Sequence, residues 1–531
     1  MLKIKKGKLK DMKKRVLLTS LLTIALCFSL VMGATFALFT SESKVNIAVT
    51  SGKVNVVATI TELKTYSLGI EQPTGTFENG GEAKFDDEAN LNLNLLTPGD
   101  AVSFVVEMEN NSNINIQYRI VLAMEGELAA ALDAKAEFNN EEYALNSGST
   151  KWFKLEAGQD IPNVKVEIEL PLETGNLYQE KSAKVSVKIE AVQGNAETVD
   201  EWNGTVDTAW FAEDTGATEY KLETAEEFAG FAALINGTSK LRAAAETFEG
   251  KTIYLESNVD LSGINWTPIG DPMSDNYVGF AGTFDGQGYT ISNLNIDNEK
   301  AWGQGLFGYN TYKTTTIKNL NINNVYINAE DTSGAVAGYF QFGTIENVHV
   351  TGDVKISGAQ HMGGLVGNGY YVNFNNCSVI GNEGSYIETT GKTNGSFVGG
   401  IVGYHGAGTY EITNCTVKNL EISTSKGAVG VIAGHAGYGN TITGCTGENV
   451  VLNKNGIDSR PSIGLVMGNY TNDQATAVIT NNTFKNITLN GTSNAYTPYN
   501  IYVGSEYAAT ENGFTGTLEN NVAENITNNL K

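Results

Sequence analysis

GLFG at residues 305–308 begins a series of related segments that decides the fold. It returns as GAVAG at 334–338, GLVG at 364–367, GIVG at 400–403, GVIAG at 430–434 and GLVMG at 464–468, and as a weaker IYVG at 501–504. The closing glycines of successive segments are 30, 29, 36, 31, 34 and 36 residues apart. A period in this range is typical of a solenoid, in which no single repeat can bury its apolar face alone.

A second motif follows each glycine segment. It reads Ile317-Lys-Asn319-Leu320 in the first repeat and Ile412-Thr-Asn414-Cys415 in the fourth, and asparagine fills its third position in six of seven repeats. Short apolar runs broken by Gly and Asn indicate strands and tight turns. Asparagine tolerates the left-handed conformation, and stacked amides form hydrogen-bonded ladders. Residues 305–531 are therefore predicted to form a right-handed parallel β-helix, or a close relative, of about seven coils about 4.8 Å apart.

The GLxG segments with their I-x-N-C followers resemble the GLUG repeats of bacterial surface proteins over roughly residues 300–525. That family is defined by its shape and not by one activity. The resemblance therefore implies a solenoid and leaves the activity open.

The N-terminus has the pattern of an export signal. Residues 3–15 hold seven Lys and one Arg, and the run from Val16 to Phe39 carries no charge. Small residues at Thr35-Phe-Ala37 predict cleavage after Ala37, so that residues 1–37 are a signal peptide. The alternative is that the uncharged run stays in place as a membrane anchor, since it is long enough to span a bilayer.

GATFALFTSE at 33–42 and Ser51-Gly-Lys-Val-Asn-Val56 resemble the leader and the mature start of the TasA/camelysin family. The resemblance implies a SipW-type signal peptidase, a Gram-positive-type source and an extracellular destination. It extends to Thr97-Pro-Gly-Asp100 and to the segment that begins at Leu170-Pro-Leu-Glu.

Residues 38–196 are dominated by strand patterns. Apolar and polar residues alternate over Lys53–Thr61, Ala101–Glu109, Ile114–Ala123, Val164–Leu170 and Lys184–Ala191, with one helical stretch over Glu127–Lys135. Such strands, separated by turns, predict an antiparallel β-sandwich of the jelly-roll kind.

The TasA resemblance also implies fibre assembly, in which the mature N-terminal strand completes the sheet of the next subunit by β-augmentation. The segment from Leu38 to Val57 is the candidate strand. The alternative is that this strand pairs within its own sandwich.

Residues 197–220 carry turn residues and acid and are predicted to be a linker. Residues 221–304 are predicted to cap the solenoid and form its first coils. Thr224-Ala-Glu-Glu227 has the pattern of a capping box that opens a helix with Phe228 and Phe231 on one face. A helix in this place would cover the exposed strand edges of a solenoid end.

The chain is acidic, with 35 Lys and Arg against 59 Asp and Glu and a net charge of −24. This charge disfavours binding to nucleic acid and to anionic membrane surfaces, and it suits a secreted or cell-surface protein. Cys377, Cys415 and Cys445 share one repeat position, and buried free thiols are a better interpretation than disulfides there.

The sequence offers no catalytic constellation. It has no HExxH motif, no zinc-type Cys/His spacing and no column of paired carboxylates of the kind that glycosidases use. No catalytic residue, metal site or cofactor is therefore predicted. The four histidines do not share a strict column, although His405 and His435 both follow a glycine closure.

A tyrosine follows most glycine closures, and these tyrosines form the candidate contact surface: Tyr309, Tyr339, Tyr370, Tyr371, Tyr404, Tyr438 and Tyr470. One ring per coil at one corner would give a ribbon of rings suited to stacking on sugars or on a partner surface. The alternative is that each ring packs on the coil below and covers the core.

These observations favour an exported surface or extracellular-matrix protein with a structural or adhesive role. The sandwich would serve assembly or anchoring, and the solenoid would contact a polysaccharide or a host or matrix surface. A polysaccharide-degrading lyase or hydrolase on the same fold is the alternative. A camelysin-type protease is the weakest of the three, because the metal motif is missing.

Overall fold

The computed structural model of the chain describes residues 40–530 apart from short gaps. The gaps are residues 45–48, 52–53, 87–89, 139–140, 145–149, 151, 173, 175–177, 179, 195–198, 203, 240–244, 262–263, 275–277, 299–300, 311–313, 392–394, 407–409, 438, 455–461, 472–476, 492–500 and 508–515. The chain divides into two compact units, one ending at Thr198 and the other beginning at Val199. Among the described helices, none is long and apolar enough to cross a membrane. The predicted signal peptide and its cleavage site at Ala37 lie outside the described residues.

The first unit consists of antiparallel strands. In chain order they are β1 (Thr40–Lys44), β2 (Val49–Ser51), β3 (Val54–Ser67), β4 (Ile70–Gln72), β5 (Glu82–Phe85), β6 (Leu91–Asn94), β7 (Asp100–Asn110), β8 (Ile116–Glu125), β9 (Asp133–Phe138), β10 (Glu141–Ala144), β11 (Phe153–Leu155), β12 (Val164–Glu169) and β13 (Ser182–Gln193).

Two sheets enclose one core in this unit. One sheet has the order β11-β8-β13-β6-β5 with β1 also on β13, and the other has the order β10-β9-β12-β7-β3-β2 with β4 on β3. Alternate residues of each strand face inward, as Phe104 and Val106 of β7 and Ile120 of β8 do. The predicted antiparallel sandwich is confirmed, and the five predicted strands correspond to β3, β7, β8, β12 and β13.

The helix predicted over Glu127–Lys135 is wrong. Only a 3-10 turn over Ala129–Ala131 is present, and β9 follows it at once and pairs with β12. Alanine favours a helix, but Ala134 and Ala136 bury their side chains on one face of the new strand, and Leu132 just before it is buried as well. Pairing with β12 therefore outweighs the local helix propensity.

The N-terminal strand β1 pairs with β13 of its own chain, from Thr40 opposite Val192 to Lys44 opposite Lys188. Strand β2 likewise pairs with β3. In this structure the candidate assembly segment therefore completes its own sandwich.

The described residues of the second unit form two helices and the remaining strands. They are β14 (Val199–Glu201), α1 (Ala209–Glu213), β15 (Glu219–Leu222), α2 (Ala225–Ile235), β16 (Thr252–Leu255), β17 (Asn258–Asp260), β18 (Thr283–Asp285), β19 (Thr290–Asn298), β20 (Phe307–Tyr309), β21 (Thr315–Ala329), β22 (Ser333–Gly334), β23 (Ala337–Gly358), β24 (His361–Gly363), β25 (Val366–Asn375), β26 (Ser378–Gly381), β27 (Tyr386–Thr389), β28 (Phe397–Gly399), β29 (Val402–Gly406), β30 (Glu411–Thr413), β31 (Thr416–Thr424), β32 (Ala428–Gly430), β33 (Ala433–Gly437), β34 (Thr441–Thr443), β35 (Thr446–Lys454), β36 (Ser462–Gly464), β37 (Met467–Thr471), β38 (Val478–Thr480), β39 (Thr483–Lys485), β40 (Thr488–Gly491), β41 (Val503–Tyr507), β42 (Thr517–Glu519), β43 (Val522–Glu524) and β44 (Thr527–Leu530).

Part of the predicted linker belongs to the start of the solenoid. Strand β14 pairs in parallel with β17, and β15 pairs with β16. Phe211 of α1 is fully buried, and Trp210 packs against the same core. The polar turn residues around these aromatics have the composition of a linker, but the chain here forms short strands and a helix that belong to the first coils.

Helix α2 begins with the predicted capping box. The Thr224 hydroxyl accepts a hydrogen bond from the Glu227 backbone N–H at 3.2 Å, and the Glu227 carboxylate accepts one from the Thr224 N–H at 3.3 Å. Phe228 stacks on Trp266 and Phe231 stacks on Phe284. The small residues on the other side of the helix are buried too, so the helix is enclosed on both sides by the surrounding residues of the solenoid start.

The solenoid strands pair in parallel from coil to coil, as predicted. The apolar residue that opens the second motif is in register through all seven repeats: Ile317, Ile345, Phe374, Ile412, Ile442, Ile479 and Leu518. The first six of these side chains are fully buried, so one apolar column runs through the core. A smaller parallel sheet has the order β22-β24-β28-β32-β36.

The motif asparagines adopt the left-handed conformation and form ladders. Their φ angles lie between 52° and 59°, and Gly444, which replaces asparagine in one repeat, has φ 67°. The amide of Asn347 donates to Asn319 at 3.0 Å, and that of Asn376 donates to Asn347 at 3.1 Å. The predicted asparagine column is thus confirmed, in both its backbone conformation and its hydrogen bonding.

Five residues later, a second asparagine column occupies another left-handed turn. Its members are Asn324, Asn419, Asn449, Asn486 and Asn525. From Asn449 onward each amide donates to the asparagine of the preceding coil, at 3.0–3.2 Å. Where the columns are unbroken, neighbouring coils are therefore held together at these corners by side chains as well as by backbone.

Candidate contact surface: the tyrosine column

The glycine closures bring two strands together at one corner of the coil. A Cβ atom on Gly403 would lie 2.6 Å from the carbonyl oxygen of Gly367 and 2.7 Å from the backbone nitrogen of Met362. Gly434 and Gly468 have the same kind of backbone neighbours. The repeated glycine is required by this close approach and not by a positive φ.

The residue after each closing glycine occupies one register column. Its members are Tyr309, Tyr339, Asn368, Tyr404, His435 and Asn469. Three of the predicted tyrosines therefore occupy equivalent positions in their coils.

Four predicted tyrosines stack in a single row, which we call the tyrosine column. Ring centroids are 5.2 Å apart for Tyr309 and Tyr339, 5.8 Å for Tyr339 and Tyr370, and 5.6 Å for Tyr370 and Tyr404. Tyr370 lies two residues beyond Asn368, and its ring fills the place that asparagine leaves open. Strand geometry puts residues i and i+2 on the same face, which makes this replacement possible.

His435 extends the row, although it is not among the residues that the sequence predicted for it. Its ring lies 4.7 Å from that of Tyr404 and is nearly parallel to it. The signal in the sequence was its position directly after Gly434, the place that Tyr404 has after Gly403.

Tyr371 belongs to a separate aromatic pair. It stacks on Phe342 with ring centroids 4.6 Å apart, and Tyr410 meets it edge-on at 5.3 Å. Both Phe342 and Tyr371 have positive φ, where Gly439 stands in a later coil. Their corner therefore differs from that of the tyrosine column.

Tyr470 is not a surface residue. Its side chain is fully buried, and its hydroxyl accepts a hydrogen bond from the Ala477 backbone N–H at 2.9 Å. It stands two residues after Gly468, whereas Tyr404 stands one residue after Gly403, and one step along a strand exchanges the inner and outer faces. Tyr438 lies outside the described residues.

A second layer of rings covers the tyrosine column from the small sheet. His361 stacks on Tyr404 at 5.1 Å, and Phe397 lies 5.6 Å from Tyr404 and 4.9 Å from His435. The faces of the inner rings are thus occupied by other rings, and this arrangement favours the corner-covering alternative over stacking on sugars.

His405 and His435 near this corner are buried and, like the partly covered His361, uncharged at neutral pH. Burial lowers the pKa of His361 to about 4 and that of His405 to about 4. Burial, together with the neighbouring His361 and His405, lowers the pKa of His435 to about 3. The His405 Nε2 donates to the Val372 carbonyl at 2.9 Å. Groups with such pKa values are poorly suited to acid–base chemistry near pH 7.

Other candidate groups have structural roles. Burial by itself would raise the pKa of Asp285, but hydrogen bonds from Asn319 and the Gln287 backbone, with Lys318 at 3.2 Å, lower it below its usual range. Cys377, Cys415 and Cys445 are buried free thiols, as predicted. In the described parts of the chain, no three His, Cys, Asp or Glu side chains are grouped closely enough to hold a metal ion.

Comparison with known proteins gives distant similarities. No known family profile matches the chain. Halomucin of Haloquadratum walsbyi is 30% identical over 191 residues, which are 35% of this chain and 2% of halomucin. The chain thus spans a small fraction of that relative's length, and what halomucin does as a whole does not transfer directly.

Solved structures also align with the chain, two of them as follows. A protein provisionally described as an immunoglobulin A1 protease, from Bacteroides ovatus, aligns at 19% identity with a TM-score of 0.39, over 57% of this chain and 84% of its own. The Agl-KA catalytic domain aligns at 11% identity with a TM-score of 0.17, over 93% and 97% of the two chains.

Tyr339→Ala and Tyr404→Ala are each expected to lower the free energy of unfolding by about 2 kcal/mol, because each removes a half-buried ring with stacked neighbours. Urea denaturation would measure the change. Tyr254→Ala is the matched control, since Tyr254 faces outward from β16, stacks on no ring among the described residues, and should change stability by less than about 0.5 kcal/mol. Unchanged stability together with lost ligand binding in the two column variants would instead support the contact role.

Proposed function

We propose that the chain is an exported bacterial protein of the cell surface or extracellular matrix, with a structural and adhesive role. The sandwich provides assembly or anchoring, and the solenoid provides an extended face for contact with a polysaccharide or a matrix surface. The TasA-like leader, the GLUG-type repeats and the net charge of −24 support an extracellular setting, such as a biofilm matrix.

The observation that carries this proposal is the unbroken register of the solenoid. The Ile317 column passes through seven repeats, and two asparagine columns hold the coils together along the outside. Such a stack is rigid and presents equivalent outer positions in successive coils, which are the properties that a scaffold for repeated contacts needs. The similarity of 191 residues to a segment of the much longer halomucin is consistent with such a module.

A Gram-positive host that has a SipW-type signal peptidase can test the proposal. The protein is expected in the extracellular or surface fraction with Leu38 as its first residue, and the producing cells should adhere more strongly to a matrix-coated surface than cells without it. Cells that express the sandwich without the solenoid are the control for the contact role. Retention of the unprocessed chain inside the cell, or cleavage of polysaccharides by the purified protein, would contradict the proposal.

Assembly is tested separately by electron microscopy of the processed protein. We expect fibres from the full mature chain and dispersed particles from a variant that lacks residues 38–50. Identical fibres from both would show that the N-terminal strand is not the assembly element.

A further inference from the structure

One coil of the solenoid carries a loop that its neighbours lack. Between β26 and β27 the chain leaves the sheet over residues 382–385, whereas the next coil passes the same place in the continuous strand β31. The loop is fixed to the preceding coil, because the Asn382 amide donates to Asp353 at 2.9 Å and the Ser385 hydroxyl accepts from the Val354 N–H at 3.1 Å.

This loop forms one wall of an open cleft of about 610 Å³. Glu383 and Tyr386 line it from the loop side, and Asn419, Glu421 and Asn449 line it from the two following coils. We call it the loop cleft. It lies away from the tyrosine column, on the face that carries the second asparagine column.

Hydrogen-bonding groups in the loop cleft are available to a ligand. Asn419 accepts from Asn449 at 3.1 Å, but Gly381 stands in the preceding coil where an asparagine would continue the ladder. Within the described structure the Asn419 Nδ2 donates no hydrogen bond, and neither the Glu383 carboxylate nor the Tyr386 hydroxyl has a partner. The ladder thus ends in an amide donor that opens into the cleft.

The strand register continues the cleft into a row of outer side chains. Tyr326, Lys355, Tyr386 and Glu421 are directly opposite one another in successive coils. Tyr326 is 39% exposed, and neither it nor Tyr386 stacks on another ring in the part of the chain that is described. Because coils are about 4.8 Å apart, the two tyrosines are separated by about 9.6 Å along the solenoid.

We infer that this face binds an extended chain of uncharged hexose or N-acetylhexosamine units, lying parallel to the solenoid axis. Sugar rings pack on Tyr326 and Tyr386, whose spacing is close to the repeat of a disaccharide unit in an extended chain. Asn419 and Glu383 hydrogen-bond the hydroxyl and acetamido groups, together with the Glu421 carboxylate, whose Oε1 also accepts from the Asn453 amide at 2.6 Å. Pockets that combine an apolar ring with a few convergent polar groups are typical of small-ligand recognition.

The charge of the face excludes acidic glycans. Glu383, Glu388 and Glu421 lie along or beside the row of outer side chains, and among the described members of that row Lys355 is the one cation. A chain of uronic acids or sulfated sugars would place like charges beside these carboxylates. The inference supplies a ligand class for the adhesive role proposed above, and it rests on that role.

Isothermal titration of the full-length protein with three hexamers tests the inference. The probes are the β-1,4-linked hexamers of glucose and of N-acetylglucosamine, and the hexamer of galacturonic acid as the acidic probe. Binding of at least one neutral hexamer is expected, at least tenfold tighter than that of galacturonate. Failure of both neutral hexamers to bind, or tighter binding of galacturonate, would overturn the inference.

Variants locate the site. Tyr386→Ala is expected to weaken binding at least tenfold, and Asn419→Gly, which keeps the left-handed turn, several-fold. Tyr254→Ala is the control and should bind as the wild type does, and thermal unfolding of all three variants reports on their folding. Wild-type affinity in folded Tyr386→Ala would remove the site. If cells that carry this variant still adhere normally, the adhesive role is retained, but the loop cleft does not contribute to it.

Discussion

Gly403→Ala is expected to destabilise the solenoid by about 3 kcal/mol, which is a large effect for the addition of one methyl group. The new Cβ would lie 2.6 Å from the Gly367 carbonyl oxygen and 2.7–2.8 Å from the backbone nitrogen and oxygen of Met362. These are backbone atoms of two neighbouring strands, so no side chain can rotate away. Chemical denaturation followed by circular dichroism would measure the loss.

Gly395→Ala is the matched control for this substitution. No atom lies within 4 Å of a Cβ built on Gly395, which is an exposed turn residue in the same repeat. Its stability should change by less than about 0.5 kcal/mol. Equal effects of the two substitutions would show that the corner tolerates a side chain and that the glycine repeat has another cause.

Acid is expected to destabilise the solenoid well before its carboxylates titrate. His361, His405 and His435 have pKa values lowered to about 4, 4 and 3, whereas an unfolded histidine has a pKa of about 6.5. The unfolded state therefore binds protons first as the pH falls below 6.5, so stability is highest above that pH. Below pH 6.5 each histidine should lower the free energy of unfolding by about 1.4 kcal/mol per pH unit. The three histidines together should lower it by about 4 kcal/mol per pH unit. Urea denaturation at pH 7.0, 6.0 and 5.5 would measure this slope.

His435→Asn isolates one of these contributions, since Asn368 and Asn469 occupy the same column in other coils. The variant should show a slope shallower by about 1.4 kcal/mol per pH unit between pH 6.5 and 5. His349→Asn is the comparison, because His349 is only half-buried and hydrogen-bonds Ser378 and Asn347. Parallel slopes for the wild type and His435→Asn would contradict a buried, uncharged imidazole.

Periodicity predicted the solenoid because one physical requirement is repeated in every coil. The column from Ile317 to Leu518 is aligned in the structure as the motif aligned it in the sequence. Asparagine marked the left-handed turn because few other residues adopt that conformation at low cost. These features depend on local conformation and on burial, and both restrict which residue types can occupy a position.

Features that depend on exact position were harder to predict. Tyr404 stands one residue after its closing glycine and faces outward, whereas Tyr470 stands two residues after its closing glycine and is buried. The glycine closures differ in length, so the sequence does not make this difference of one residue obvious. Tyr370 replaces Asn368 in the aromatic row through a two-residue displacement that only the fold makes visible. The strand β9 depends on its partner β12, which lies about thirty residues away in the chain. The loop cleft could not be predicted from the sequence, because its prediction requires knowing which coil lies beneath the loop.

The direction of the backbone hydrogen bonds in the solenoid has a mechanical consequence. They connect each coil to the next, so tension applied along the axis loads the bonds of one terminal coil at a time. A coil that detaches releases 29–36 residues, which extend to roughly 100 Å at about 3.4 Å per residue. A solenoid loaded in this way lengthens in steps, absorbs the work of each rupture and leaves the remaining coils folded.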